Sequence, residues 1–531
     1  MMLYRLSAAL ALVLLLSASS KHQVGTPYAV EEVPLKQISA DLARGAITSV
    51  QVTRAYIERI KTYDGALHAV LLLAPDALDQ AAASDRRRAA GKALGPLDGI
   101  PILVKDNIDA AGMVTTAGSY ALIENMPRRD SELVRRLRAA GAVILGKANL
   151  SQFAGLRTTD TFEGSTVGGV GHNPYDLSRS PSGSSLGSGI AVAASLAAAA
   201  IGTDTTGSII GPASYMGLVG LRPTLGLISR RGIVPVDLTE DTAGPLTRNV
   251  ADTAMLLTAL AGSDPADPAT RDADSHKTDY TRGLDRHALK GVRLGVIRNV
   301  QDYSDTTKPV LDAALRVLAK QGAELVELPA DVFEDLNPEQ RLLMLYGFKV
   351  DLPAYLAEAP PAVKVRTLAD VIAFDRIEAH ERTHRQDLFE DSEATSGGRD
   401  NPEYLKALHY AQHRAGPEGI DRALSQFRLN ALVLLAFGPA IPIVPDGTKA
   451  GGSALDLPKG VQQPFGSGIA ALAGDPDLTV PMGAVHGLPV GLSFIGPAWS
   501  EQQLLAYAYA YEQAAHARVP PKAYQAAVAA N

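Results

Sequence analysis

Apolar and polar positions change period several times along this chain. Leu35, Ile38, Leu42 and Ile47, then Val52, Ala55, Tyr56 and Ile60, recur at helical spacing, and residues 33–92 read as helices. Residues 101–104 are a short unbroken apolar run ending at Lys105, the pattern of a buried strand. Residues 131–140 (SELVRRLRAA) return to helical spacing; Gly141 stops that helix, and an apolar strand follows over 142–145. A second alternation gives a strand at 292–297, a helix at 309–320 with proline near its start, and a strand at 324–328. Residues 339–424 are helical and more polar, with a loop at 397–402, and read as an elaboration over the core rather than a separate domain. After an apolar, proline-punctuated run at 431–444 and a polar loop at 447–460, residues 478–496 form two short strands about a glycine turn, and 502–513 a closing helix. The alternation places the chain in the α/β class, with an α/β/α layered core.

One stretch breaks the pattern. Residues 180–224 are crowded with Ser, Gly and Ala, and their only charges are Asp204 and Arg222. A solvated linker would lack residues 189–201, GIAVAASLAAAAI, which are apolar and strongly helix-forming. The flanking Ser-Gly runs therefore read as tight loops at the ends of a buried helix. Serine hydroxyls in apolar-walled loops fit nucleophilic catalysis, although close packing alone also explains any single one of them.

Composition narrows the classes. The 531 residues are 46% hydrophobic and 20% charged, ordinary for a globular enzyme, and a net charge of −7 argues against a nucleic-acid partner. No cysteine is present, which excludes disulfides, thiolate metal sites and a cysteine nucleophile. Arg5, the apolar residues 10–16 and Ser17-Ala18-Ser19-Ser20 read as a signal peptide over residues 1–20. That apolar run is short of the roughly 20 residues a spanning helix needs, so no stable membrane anchor is expected and the protein is read as exported, periplasmic or secreted.

The spacing of three elements carries a family resemblance over residues 34–520. Gly183-Ser184-Ser185-Leu186-Gly187, Gly202-Thr203-Asp204-Thr205-Thr206-Gly207-Ser208-Ile209 and the strand-terminal Lys105 resemble the signature of the amidase signature family of serine hydrolases. The resemblance implies one amidase domain over residues 21–531 with a mixed central sheet, its signature core at about residues 90–260. It also implies a Ser–cis-Ser–Lys mechanism without cofactor or metal: Ser208 as nucleophile, Ser184 relaying its proton across a cis Gly183–Ser184 peptide, and Lys105 as base. Thr205, Thr206, Gly207 and Ser208 would offer backbone N–H groups to the oxyanion, with Ser185 and Asp204 in support. Elementary chemistry agrees on one point: a lysine drawn into a dry site loses its charge, and only the neutral amine accepts a proton. Two positions depart from the family pattern, Thr206 in place of a glycine and Ile210 in place of an arginine.

Within the family, SRSPSGSS at 178–185, DTAGPL at 241–246, AGPEGID at 415–421 and AWSEQQLLAYAYAYEQ at 498–513 resemble bacterial peptide amidases, which deamidate peptide C-terminal carboxamides. A general aliphatic or aryl amidase is the alternative in the same family. Three readings lie outside it. Gly183–Gly187 also spells G-x-S-x-G, but the preceding residues are polar and proline-broken where an α/β-hydrolase needs a strand. His380-Glu381-Arg382-Thr383-His384 spells the H-E-x-x-H of zinc peptidases, on what reads as a solvated face; His409 and His413 repeat the spacing. A non-enzymatic binding protein leaves Lys105 and both serine loops without a reason.

Overall fold

A computed structural model describes residues 28–158, 163–300, 302–443 and 466–529; residues 1–20, read as a signal peptide, and the loop read at 447–460 lie outside them. Eleven strands form one mixed sheet: β1 (Val70–Leu73), β2 (Pro101–Lys105), β3 (Val143–Ala148), β4 (Ala199–Asp204), β5 (Val219–Arg222), β6 (Thr242–Thr247), β7 (Arg293–Ile297), β8 (Glu324–Glu327), β9 (Ala431–Leu435), β10 (Asp477–Val485) and β11 (Leu488–Ile495). Their order across the sheet is β1-β3-β2-β4-β6-β5-β10-β11-β9-β7-β8. The site depends on the parallel trio β3-β2-β4, in which Val104 pairs with Ile201, so Lys105 and the end of β4 leave the sheet side by side. Loops beyond the carboxyl ends of adjacent parallel strands are where α/β sheets hold their ligands.

The strand at 101–104, the helix at 131–140 and the second alternation all appear where the pattern puts them. Ser131 caps its helix by accepting from the Val134 N–H. Two expectations fail. Residues 70–73 are not helical but an edge strand antiparallel to β3. The alanine-rich stretch is not one helix either: α1 (Leu186–Ala193) ends in a turn, Ser195 sits at a φ of 55°, and the chain reverses directly into β4. Alanine is small enough for both elements, and every residue from 186 to 204 is buried, so tertiary packing overrides the helix preference. Strand β6 is harder to foresee, because Gly244-Pro245 argues against a strand, yet Pro245 pairs with Ile201 inside the sheet.

The helices of residues 337–394 bury a cluster of their own. Phe348 and Phe389 stack 5.5 Å apart and meet Phe153 edge-on, with Val234 and Val236 in the same cluster. Phe153 follows β3 and Val234 lies against Asn107, so this helical region braces the loops around the end of β2. Among the described residues, no helix is long and apolar enough to cross a membrane.

Candidate active site

Lys105 ends β2 fully buried, with its Nζ 2.7 Å from Ser184 Oγ and 2.8 Å from Thr203 Oγ1. The Thr203 carbonyl lies farther off at 3.5 Å, and among the described residues no carboxylate stands within ion-pair distance of the amine. Burial pushes the Lys105 amine down to about 7, against the weaker upward pull of Asp204 and Asp241. Lys147, one strand away, is equally buried but pairs with Asp106 at 3.1 Å and donates to the Ile108 and Val114 carbonyls and to Thr115 Oγ1. The two lysines thus differ in what faces them: Lys147 is a charged strut, whereas Lys105 faces hydroxyls.

The Gly183–Ser184 peptide is cis, as the resemblance implies. Ser185 supports this loop: its Oγ donates to the Thr203 carbonyl at 3.0 Å and accepts the Thr203 N–H at 3.2 Å, and its own N–H donates to the Ser208 carbonyl. That contact needs Gly202, where a Cβ would come within 2.7 Å of Ser185 Oγ. The two serine loops are therefore stitched together by Ser185. Ser184 is buried and Ser208 half-buried, so of the three expected catalytic groups Ser208 is the most open to solvent.

Asp204 shapes the second loop. Its carboxylate accepts the Gly207 N–H at 2.9 Å and the Ile209 N–H at 2.7 Å, and pairs with the fully buried Arg222 at 2.9 Å. Arg222 also donates to the Asp204, Thr205 and Glu240 carbonyls. This corrects one expectation: the Gly207 N–H is turned onto Asp204 rather than left for a substrate oxygen. Gly207 itself sits at a φ of 125°, a conformation that a residue with a Cβ adopts only under strain. Ile210 opens a short helix, Ile210–Tyr215, and is wholly buried in the main core, so this position packs rather than lines a surface.

Sequence reasoning missed three residues of this network. Thr203 and Asn107 touch or support Lys105, and Asp241 accepts the Thr205 hydroxyl at 2.6 Å. Burial raises the Asp241 carboxyl to about 7, with the Thr205 bond pulling the other way. A signal for Asn107 was present in its place two residues after Lys105; nothing in the sequence marks Thr203 or Asp241 beyond their motifs.

The H-E-x-x-H residues are arranged against metal catalysis. Their segment follows the end of the Leu368–Ile377 helix and is a turn, so the two histidines do not share a helix face. The expectation of a solvated face is wrong for Glu381, which is wholly buried. Its carboxylate accepts from Ser119 Oγ, the Tyr120 N–H, Thr166 Oγ1, Gln152 Nε2 and Arg157 Nη1. Burial alone would raise Glu381, but Arg157 and these donors hold it below the usual range. A carboxylate so occupied cannot serve as base to a metal-bound water, and His380 is stacked on Tyr120 at 4.1 Å. The double change His380→Ala and His384→Ala should leave amide hydrolysis near wild type, with chelators harmless. Glu381→Ala should instead lower the melting temperature, because it breaks a buried ion pair, a loss of about 3–5 kcal/mol when one partner is removed, and leaves Arg157 only the longer pairing with Asp375 at 3.6 Å. Chelator-sensitive activity restored by zinc would reverse this reading.

The geometry agrees with what the chain is similar to. The family model for amidases matches residues 51–505. A probable amidase of Arabidopsis thaliana is 36% identical over 527 residues, covering 96% of each chain. The glutamyl-tRNA(Gln) amidotransferase of Thermosynechococcus vestitus has a chain that is 36% identical over 504 residues, 90% of this chain and 97% of that one. The crystal structure of the native peptide amidase of Stenotrophomonas maltophilia superposes with a TM-score of 0.86 at 44% identity, covering 93% of this chain and 99% of that one. Matched from the first helices to the closing one, the protein belongs to the amidase signature family and is a hydrolase acting on amide C–N bonds.

Proposed function

We propose that this enzyme hydrolyses the C-terminal carboxamide of peptides to the free acid and ammonia. The observation that carries the chemistry is the contact of Lys105 Nζ with Ser184 Oγ at 2.7 Å in a fully buried setting. Ser208 Oγ attacks the amide carbon and gives its proton to Ser184, whose own proton passes to the neutral Lys105. The developing oxyanion is met by the N–H groups of Thr205, Thr206 and Ser208, each donor contributing about 3 kcal/mol to the transition state. Lys105 returns the proton through Ser184 to the leaving nitrogen and ammonia departs; water then attacks the acyl carbon, passing a proton through Ser184 to Lys105, and that proton returns to Ser208 Oγ as the acyl–oxygen bond breaks and the free acid leaves.

Substrate choice rests on charge and on likeness. A carboxamide is neutral, whereas a free carboxylate buried beside the loop needs a cation to offset its desolvation. Arg222, which donates to the Asp204 and Thr205 carbonyls, is paired with Asp204, and Arg230, which lines the same pocket as Thr203 and Thr205, is paired with Asp267. Position 210 supplies packing rather than a cation. The likeness to a peptide amidase at 44% identity favours the amidated peptide over a charged tRNA or a short aliphatic amide. Export, read from residues 1–20, belongs to the same reading, since secreted peptides are then the substrates at hand. Incubation with an amidated peptide should release ammonia and shift the peptide to its acid, with backbone, Asn and Gln intact. Internal fragments, or faster turnover of free glutamine or short aliphatic amides, would contradict the assignment.

A further inference from the structure

Asn107 has no part in the mechanism above, yet it is almost wholly buried beside the base. Its backbone is fixed, because the Val234 N–H donates to the Asn107 carbonyl at 2.8 Å. Its side chain makes one bond: Nδ2 donates to Thr203 Oγ1 at 3.0 Å. The other end, Oδ1, is buried without a hydrogen-bond partner among the described residues. A buried amide with an unpaired oxygen is a poor packing residue, since that oxygen retains its desolvation cost. What Asn107 contributes is therefore the bond to Thr203.

Thr203 Oγ1 is the same oxygen that lies 2.8 Å from Lys105 Nζ. We propose that Asn107 is a positioning residue for amide hydrolysis, holding the Thr203 hydroxyl against the Lys105 amine and competing with the ammonium form for that oxygen. The χ1 of a buried strand threonine is already restricted, but its hydroxyl hydrogen still rotates, and the amide donor fixes which lone pair of Oγ1 is left to face Lys105. The positioned oxygen then holds the amine with its remaining contact at Ser184. Protonation state is affected as well: an ammonium donates all three of its hydrogens and gains from every acceptor, whereas a neutral amine donates two and keeps a lone pair for Ser184. An amide N–H bonded to one lone pair of Thr203 Oγ1 draws electron density from that oxygen and makes its other lone pair a weaker acceptor for the ammonium. The charged groups acting on Lys105 are Asp204, tied to Arg222, and Asp241, tied to Thr205; Asp106 alongside is paired with Lys147. None of these contacts the Asn107 side chain, so its effect is separable from theirs.

This inference rests on Lys105 being the base. The experiment compares the pH dependence of kcat/KM for an amidated peptide in Asn107→Ala, Asn107→Asp, Thr203→Val, Thr203→Ser and Lys105→Met, each checked for folding by thermal unfolding. Asn107→Ala and Thr203→Val should lose about 10- to 100-fold near neutral pH, the cost of a displaced catalytic group. In Asn107→Ala and Asn107→Asp the acid limb should move to higher pH, further for Asp, with activity recovering on the alkaline side. Thr203→Ser keeps the hydroxyl and should keep the wild-type profile. A folded Asn107→Ala or Asn107→Asp enzyme whose acid limb stays at the wild-type pH overturns the inference, as does a loss that is equal at every pH. If Lys105→Met is itself active, the assignment of the base fails instead, and the two failures are told apart by that variant.

Discussion

Lys105→Met folds and loses about 10³-fold or more in kcat toward an amidated peptide. A positioned base contributes roughly 10²–10⁴-fold, and here it also activates the nucleophile, so both contributions go together. Methionine is unbranched, uncharged and one atom shorter, so it occupies the buried channel of the side chain without reaching Ser184 and Thr203 as the amine does. In the native enzyme burial lowers the amine to about 7, so the neutral form grows as pH rises through that value. The rate should therefore climb about tenfold per pH unit below 7 and level off above it. Stability moves in the same direction as the rate. A lysine whose folded pKa lies below its unfolded value of about 10.4 opposes folding most fully below the folded pKa, and the penalty fades as pH rises toward the unfolded one. Methionine removes that penalty, so the melting temperature at neutral pH should not fall through loss of the charge. Steady-state kinetics from pH 5 to 9 with parallel thermal melts check both halves. A folded variant with wild-type kcat removes Lys105 from the chemistry.

Ser208→Ala has an even larger expected effect. The nucleophile forms the covalent bond, and no neighbouring group replaces it; in a serine hydrolase acting as a unit, loss of the serine costs about 10⁶-fold. The loop should survive the change, because its shape is set elsewhere: Asp204 holds the Gly207 and Ile209 N–H groups, and Ser185 holds the Ser208 carbonyl through its backbone. Ser208→Ala should thus melt with the wild type and still bind an amidated peptide. Ser184→Ala should also be impaired while leaving Ser208 in place, which separates relay from nucleophile. Rapid-mix analysis with an activated ester should show a burst of leaving group in wild type and none in Ser208→Ala; a burst in the alanine variant would assign the acyl-enzyme elsewhere.

How much of this was legible in the sequence depends on the range of the interactions. The strand ending at Lys105 and the capped helix at 132–139 are local patterns, and both are present. Asp204 and Arg222 were legible in a different way. As the only charges between residues 180 and 224 they had to be placed in an apolar region, and a buried charge there requires a partner; they are each other's. The edge strand Val70–Leu73 was not legible, because its pattern of four apolar residues fits a helix as well and pairing with β3 decides it. The alanine-rich stretch failed for the same reason, its turn at Ser195 being set by packing rather than by a glycine or proline. At the site, the motif supplied Lys105, Ser184 and Ser208, whereas Asn107, Thr203 and Asp241 act through side-chain contacts that span sequence separations of 36 to 98 residues. No local pattern reports those. Glu381 was misread in the same way: its neighbours are charged, but its partners Gln152 and Arg157 lie more than 220 residues away.

The mechanism turns on Ser208 carrying the acyl group. Treating the native enzyme with a fluorophosphonate, digesting it and locating the adduct by tandem mass spectrometry tests that role without any substitution. A single adduct on Ser208 is expected, and none when Lys105 is replaced by methionine. An adduct on Ser184, on Ser185 or outside the two serine loops, with Ser208 unmodified, would contradict it.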